Sequence, residues 1–272
     1  MKNSPIVFLI LSVIGIYLFV SAPPELTTPP VDKNVSVVNV NKLFDLLSSE
    51  QSAARHLYTS KIVGPGIKSG LKFGEDWKED GVDKGPLPAL FLRSVGSELM
   101  RLDSGVGLFL GSDFPISPSN KFTSFQQKYF DEMKRSNNPA YFKDSTNNLY
   151  TAMYMDLASA KPCVSCHNDH PDTSKSDWKL NDPMGATTWT YSKSNLSLSE
   201  LISHLKILRT SIRNSYAAYL DKVKTFEKEV IIGDKWPSSG LYLPSIEVFM
   251  KEFENVSSSE SINNLLGLQS KK

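Results

Sequence analysis

Both cysteines of this 272-residue chain fall in one short run, Cys163-Val-Ser-Cys166-His167. A spacing that tight restricts what the surrounding chain can build. Two thiols three positions apart add across the two vinyl groups of a haem, and the imidazole of the next residue then reaches the iron from the same side. Two other chemistries use paired cysteines. A zinc site would have to draw Cys163, Cys166, His167 and His170 from one short run, whereas structural zinc sites use two separated pairs. A disulfide or thioredoxin-like redox pair would follow a strand at the start of a helix within a βαβ unit, a pattern this segment does not carry. The spacing favours one covalent haem c, with Cys163 and Cys166 as thioether positions and His167 as an iron ligand. Zinc and a disulfide remain the alternatives.

The N-terminus agrees with that chemistry, which in bacteria is completed outside the cytoplasm. Lys2 precedes an uncharged, almost wholly apolar stretch from Pro5 to Ala22, at the lower end of what crosses a bilayer as a helix. Pro23 and Pro24 follow at once, and proline after the cut is a poor substrate for signal peptidase. An uncleaved anchor is therefore expected over residues 1–22, with a cleaved export signal as the alternative. The positive-inside bias then places Lys2 in the cytoplasm. The expectation is a single-pass inner-membrane protein with its domain in the periplasm, or, if the signal is cleaved, a secreted soluble periplasmic protein. Residues 23–36, rich in proline, read as a semi-rigid spacer.

With 30 Lys and Arg against 29 Asp and Glu, the net charge is +1, and no basic-aromatic interleaving follows. Nucleic acid is excluded as a partner. From Val37 apolar residues recur at helical spacings through Tyr58, and the run Gly64 to Gly70 is expected to break that helix. A second helix is expected over GPLPALFLRSVGSELMR and a third over TSFQQKYFDEMKR. VGLFLGSDF, LYTAMYMDL (149–157) and ATTWTYS (186–192) suit strands. Beyond them, Leu198, Ile202, Leu205, Leu208, Ile212, Tyr216, Tyr219, Val223 and Phe226 form a long apolar seam. It fits either a core helix or a coiled coil joining two copies through 198–226.

CVSCHNDHPDTSKSDWKLND, with RHLYTSKIVGPGI and GPLPALFLRSV upstream, resembles the PAS-like single-haem c-type domains that serve as extracytoplasmic sensor modules of bacterial histidine kinases and adenylate cyclases. The resemblance covers about Asn41 to Ser192. It implies an α+β fold, an antiparallel sheet with flanking helices around the haem, here with an N-terminal membrane helix and a C-terminal helical extension. The corresponding division is a haem domain over 37–194 and an extension over 195–272. Three departures stand out. The chain continues into helices where relatives continue into an output domain, so no kinase or cyclase of its own is expected. Met184 stands in Asn181-Asp182-Pro183-Met184-Gly185 where relatives carry an arginine able to face a haem propionate. No third cysteine exists to serve as the second axial ligand that some relatives place on the first helix.

His56, near that place on the first helix, is the leading candidate for the sixth iron ligand. Met184 is a weaker one, because it follows His167 closely in sequence, and Lys61 and Tyr58 are remote ones. His170 suits a hydrogen bond within the loop or a contact to a propionate. Trp178 and Lys179, with Asp177, are expected to pack and polarise the haem edge. The sequence offers no nucleophile-base pair, so a non-enzymatic role is expected. Two roles fit: a redox or gas sensor for a separate signalling or redox partner, or a single-haem electron-transfer cytochrome.

Overall fold

The structure, a computed structural model, describes residues 37–159 and 161–265. Its centre is a four-stranded antiparallel sheet. β4 (Gly107–Gly111), β7 (Pro183–Tyr191), β6 (Leu149–Leu157) and β5 (Ala140–Asp144) lie in the order β4-β7-β6-β5. Alternation along the strands sorts their side chains to two faces. Ala152, Trp189 and Tyr191 point into the main core, and Met153 and Ala186 into a smaller one. β4 and β7 approach closely: a Cβ on Gly185 would stand 2.2 Å from the Gly111 carbonyl oxygen. Only glycine fits there.

The first long helix, α1 (Val40–Leu57), packs its apolar stripe of Leu43, Phe44, Leu47, Ala54 and Leu57 on the main face of the sheet. It does not end where expected. A six-residue π-helical turn, Tyr58–Val63, leads directly into α2 (Gly64–Ser69), and the chain turns only at Gly70, whose φ is 97°. The break expected at Gly64 fails because the hydrogen-bond register changes just before Pro65, where an N–H is missing. Short strands β2 (Phe73–Gly74) and β3 (Gly85–Pro86) follow and pair in parallel. α3 (Pro88–Arg101) adds Phe91, Leu92, Val95 and Leu99 to the core. α4 (Ser124–Ser136) covers the other sheet face with Phe130 and Met133.

After β7, the strand β8 (Asn195–Ser197) returns to pair antiparallel with β1 (Val37–Asn39). α6 (Leu198–Val223) and α7 (Ile246–Leu265) follow, with the parallel pair β9 (Ile231–Gly233) and β10 (Tyr242–Pro244) between them. Between β6 and β7 runs the cysteine-bearing helix α5, Lys161–Asp169.

Two expectations are corrected here. The fold is mixed α/β with several small sheets, two of them parallel pairs, rather than a PAS-like antiparallel sheet with a helical extension. The C-terminal helices are no appendage, because Leu208, Ile212, Tyr216 and Tyr219 of α6 and Phe249 and Phe253 of α7 are buried in the same core as α1 and α3. Covering those rings within the chain removes apolar surface from water that a projecting helix would leave exposed. The expected N-terminal membrane helix and single-pass inner-membrane placement also receive a correction: among the described residues no helix is long and apolar enough to cross a membrane. α6 is long, but it carries Glu200, Lys206, Arg209 and Arg213. Residues 5–22, on which that expectation rested, lie outside the described residues.

The start of α6 is closed by a capping box. Ser197 Oγ accepts from Glu200 N at 3.2 Å, and the Glu200 carboxylate accepts from Ser197 N at 2.7 Å. Ser197→Ala should cost about 1 kcal/mol in denaturant unfolding. Hydrogen bonds from Lys193, then from Ser197, hold the Glu200 carboxyl at about 2, below its ordinary 4.5. A lowered acid stabilises the fold above its unfolded value and loses that contribution as pH falls toward the folded value. Wild type should therefore lose stability between pH 4.5 and about 2 that Glu200→Gln does not lose. Parallel acid-unfolding curves for the two proteins would reject this.

Candidate functional site

The cysteine segment follows β6 as the helix α5, so Cys163, Cys166 and His167 stand at helical positions i, i+3 and i+4 and share one face. A strand followed by a cysteine-bearing helix is the context that the sequence did not suggest. The next strand, β7, runs antiparallel to β6, so the unit is still not βαβ. Both thiols are free; Cys163 is half-buried and Cys166 exposed. Desolvation, then the negative charges of Glu75, Cys163 and Asp169, push the Cys166 thiol up. Among the described residues no group of three or more His, Cys, Asp or Glu side chains is arranged to hold a metal ion, which leaves the zinc alternative without support.

His167 is partly buried, and its Nδ1 has no hydrogen-bond partner. Desolvation, followed by the charge of His170, pulls its pKa below the ordinary histidine value, while Glu75 acts the other way. The imidazole is thereby kept neutral at pH 7, the form that can ligate iron. Trp178 stands edge-on to it, with ring centroids 6.5 Å apart and planes at 87°. The Asn168 side chain fixes that indole by holding the Trp178 backbone at both ends: its Nδ2 donates to Trp178 O at 3.1 Å, and its Oδ1 accepts from Trp178 N at 2.8 Å. Phe114, from the loop after β4, packs on Trp178 at 6.2 Å, and the Lys175 ammonium lies 4.8 Å over the Trp178 ring.

Two further elements close around α5. From the loop after β2, Glu75 Oε2 lies 3.5 Å from His170 Nε2. From the last turn of α1, Arg55 bonds Asp156 on β6 at 2.7 Å, and Asp156 also accepts from Thr187 Oγ1 on β7. Asp156 is the main cause of a raised Arg55 pKa, and the charge of Cys163 adds to it.

Residues 38–192, more than half of the chain, match the model of the Tll0287-like family. The chain belongs to the Tll0287-like family. Tll0287-like domains are haem-binding, c-type domains of the sensor kind. No curated protein and no solved structure matches the chain. The Tll0287-like match runs from β1 through β7 and so contains every element that surrounds α5.

The residues present fit a haem. Unpaired thiols and the His167 imidazole share one helix face, and the buried indole of Trp178 beside them has a ring N–H without a partner. The other sequence candidates are placed less closely. His56 is exposed on α1, next to Arg55 in sequence. Met184 is half-buried at the start of β7, and its carbonyl accepts from Ser112 Oγ. No hydrogen bond, ion pair or ring contact among the described residues joins either to His167. Tyr58 is buried in the core, stacked on Phe91 at 4.3 Å with its hydroxyl donating to Pro86 O. Lys179 is exposed and engages Asp182 through its backbone N–H. Sequence reasoning gave no individual role to Arg55, Glu75, Phe114, Asn168 and Lys175, although Arg55, Asn168 and Lys175 lie in the segments that carry the family resemblance.

Proposed function

We propose that this Tll0287-like domain carries one haem bound through thioethers at Cys163 and Cys166 with His167 as axial ligand, and that it works as a redox or gas sensor for a separate partner. The common face of Cys163, Cys166 and His167 on α5 is the observation that carries this reading. When bound, the haem supplies an iron able to change oxidation state or take a diatomic ligand. The chain's own residues orient it and read it. Asn168 and Trp178 fix the side of His167, while the Arg55–Asp156 pair ties α1 to the strand that leads into α5. α1 in turn reaches α6 through Glu50 and Arg209, so a change at α5 has a continuous polar route to the C-terminal helices. π-helical turns such as Tyr58–Val63 recur at functional sites because they shift register cheaply.

An electron-transfer cytochrome is the second reading, favoured by the exposure of Cys166, which would leave one haem edge open to a redox partner. The sixth ligand separates the two. His56 is the candidate, as the histidine at the end of α1 just before the π turn. The ferric protein should then be low-spin. His56→Ala should convert it to high-spin and admit CO to the ferrous form, and Met184→Leu should do neither. A thioether-to-iron band in the ferric absorption spectrum that disappears in Met184→Leu would move the ligand to Met184 and the function to electron transfer.

A further inference from the structure

The Trp178 indole is only 5% exposed, yet its Nε1 has no acceptor. Indole is a donor only, and leaving such a donor buried and unpaired costs about 1–3 kcal/mol. It cannot turn toward solvent, because Asn168 grips the backbone on both sides and Phe114 packs against the ring. The Lys175 ammonium lies over the same ring at 4.8 Å. It pairs with Asp177, a carboxylate whose side chain is 79% exposed, which leaves capacity among its three N–H donors. The Trp178 N–H therefore has no internal acceptor, and the Lys175 ammonium, with donors to spare, lies over the same ring, which stands edge-on to His167. Glu75, another carboxylate of this neighbourhood, lies 3.5 Å from His170 Nε2.

We propose that Trp178 Nε1–H and the Lys175 ammonium together hold a propionate carboxylate of the haem, a use of these residues that rests on the haem reading above. A carboxylate answers both needs: it accepts the buried N–H and balances the cation. The positive charge at this edge then comes from the loop between α5 and β7, since the turn at Met184 supplies none.

The test uses the full chain made in a host that matures c-type haem. Trp178→Phe keeps an aromatic ring and removes the N–H, Lys175→Gln removes the charge, and Lys206→Gln, at an exposed position of α6, serves as the control. Resonance Raman should show the propionate bending band shifted in the first two variants and unchanged in the control. The reduction potential should fall in Lys175→Gln, because loss of a nearby positive charge favours ferric iron. Haem retained in both variants with an unmoved band and potential would overturn the cradle and leave the haem reading intact. A wild type that takes up no haem would overturn both. Should Trp178→Phe fail to fold, Lys175→Gln, on a loop and partly exposed, decides the matter by the same two readouts.

Discussion

Protein carrying Cys163→Ser and Cys166→Ser, made in a host that matures c-type haem, is expected to show no haem stain on a denaturing gel, whereas wild type stains at full mass. Each thiol supplies one covalent bond, so denaturation releases the haem only when both are gone. Either single variant should stain weakly, because one thioether still holds. The chain itself should survive the double substitution. Cys166 is exposed and Cys163 half-buried, neither belongs to the two hydrophobic clusters, and replacements at such positions usually move stability by about 0.5 kcal/mol or less. An unfolding transition close to that of haem-free wild type would separate lost attachment from lost fold. Stain that persists in the double variant, or a wild type that is colourless after maturation, would defeat the thioether assignment.

The legible part of this molecule was the part governed by local spacing. Cys163, Cys166 and His167 state their chemistry within five residues, and the strands read at 149–157 and 186–192 from threonines, aromatics and alternation stand as Leu149–Leu157 and, starting three residues earlier, Pro183–Tyr191. The helix read from Leu198 by its apolar spacing begins at Leu198 in the structure as well. The seam that follows was ambiguous for a physical reason: the same spacing of Leu208, Ile212, Tyr216 and Tyr219 serves a core or a coiled coil. The outcome depends on Phe91 of α3 and Phe249 of α7, far away in sequence, which pack with those residues in one core. The π turn escaped because Tyr58–Val63 has ordinary helical composition, and only the pair of glycines around Pro65 suggested a disturbance there.

Long-range polar partners around the site were illegible for the same reason. Arg55 and Asp156 are 101 residues apart, and nothing in the neighbourhood of either names the other. α1 repeats that arrangement three times along its length. Asp45 accepts from the hydroxyls of Tyr141 and Tyr154 on the sheet, Glu50 pairs with Arg209 on α6, and Arg55 pairs with Asp156 beside α5. The five-residue steps between these charges turn them to different sides of the helix, so one element is tied to sheet, C-terminal helix and cysteine segment at once. Burial pushes Tyr154, and then Tyr141, to raised pKa values, Tyr141 to about 12. Both therefore remain protonated donors to Asp45 at neutral pH.

The middle of those ties should be the costliest to break. Glu50 is 1% exposed, and Arg209 grips its carboxylate with two bonds, Nε to Oε2 at 2.8 Å and a terminal nitrogen to Oε1 at 2.6 Å. Arg209→Met keeps the aliphatic stem and removes the guanidinium, stranding a carboxylate between α1 and α6. Breaking a fully buried pair costs about 3–5 kcal/mol. The Arg209 side chain is 38% exposed, and water can follow its truncation, so about 2–4 kcal/mol is expected. That is roughly two orders of magnitude in the folding constant. The loss should depend on pH with a definite sign. An unpaired buried carboxylate has its folded pKa raised above the unfolded one, so the variant binds a proton more readily folded than unfolded and should regain stability on acidification through that range. Adding Glu50→Gln to Arg209→Met removes the stranded charge and should recover most of the loss at pH 7. Denaturant unfolding of the wild type, the single variant and the double variant at pH 7 and pH 5 tests all three statements. A single variant as stable as wild type at both pH values would mean that Glu50 is held by other partners and that the tie between α1 and α6 does not depend on this pair.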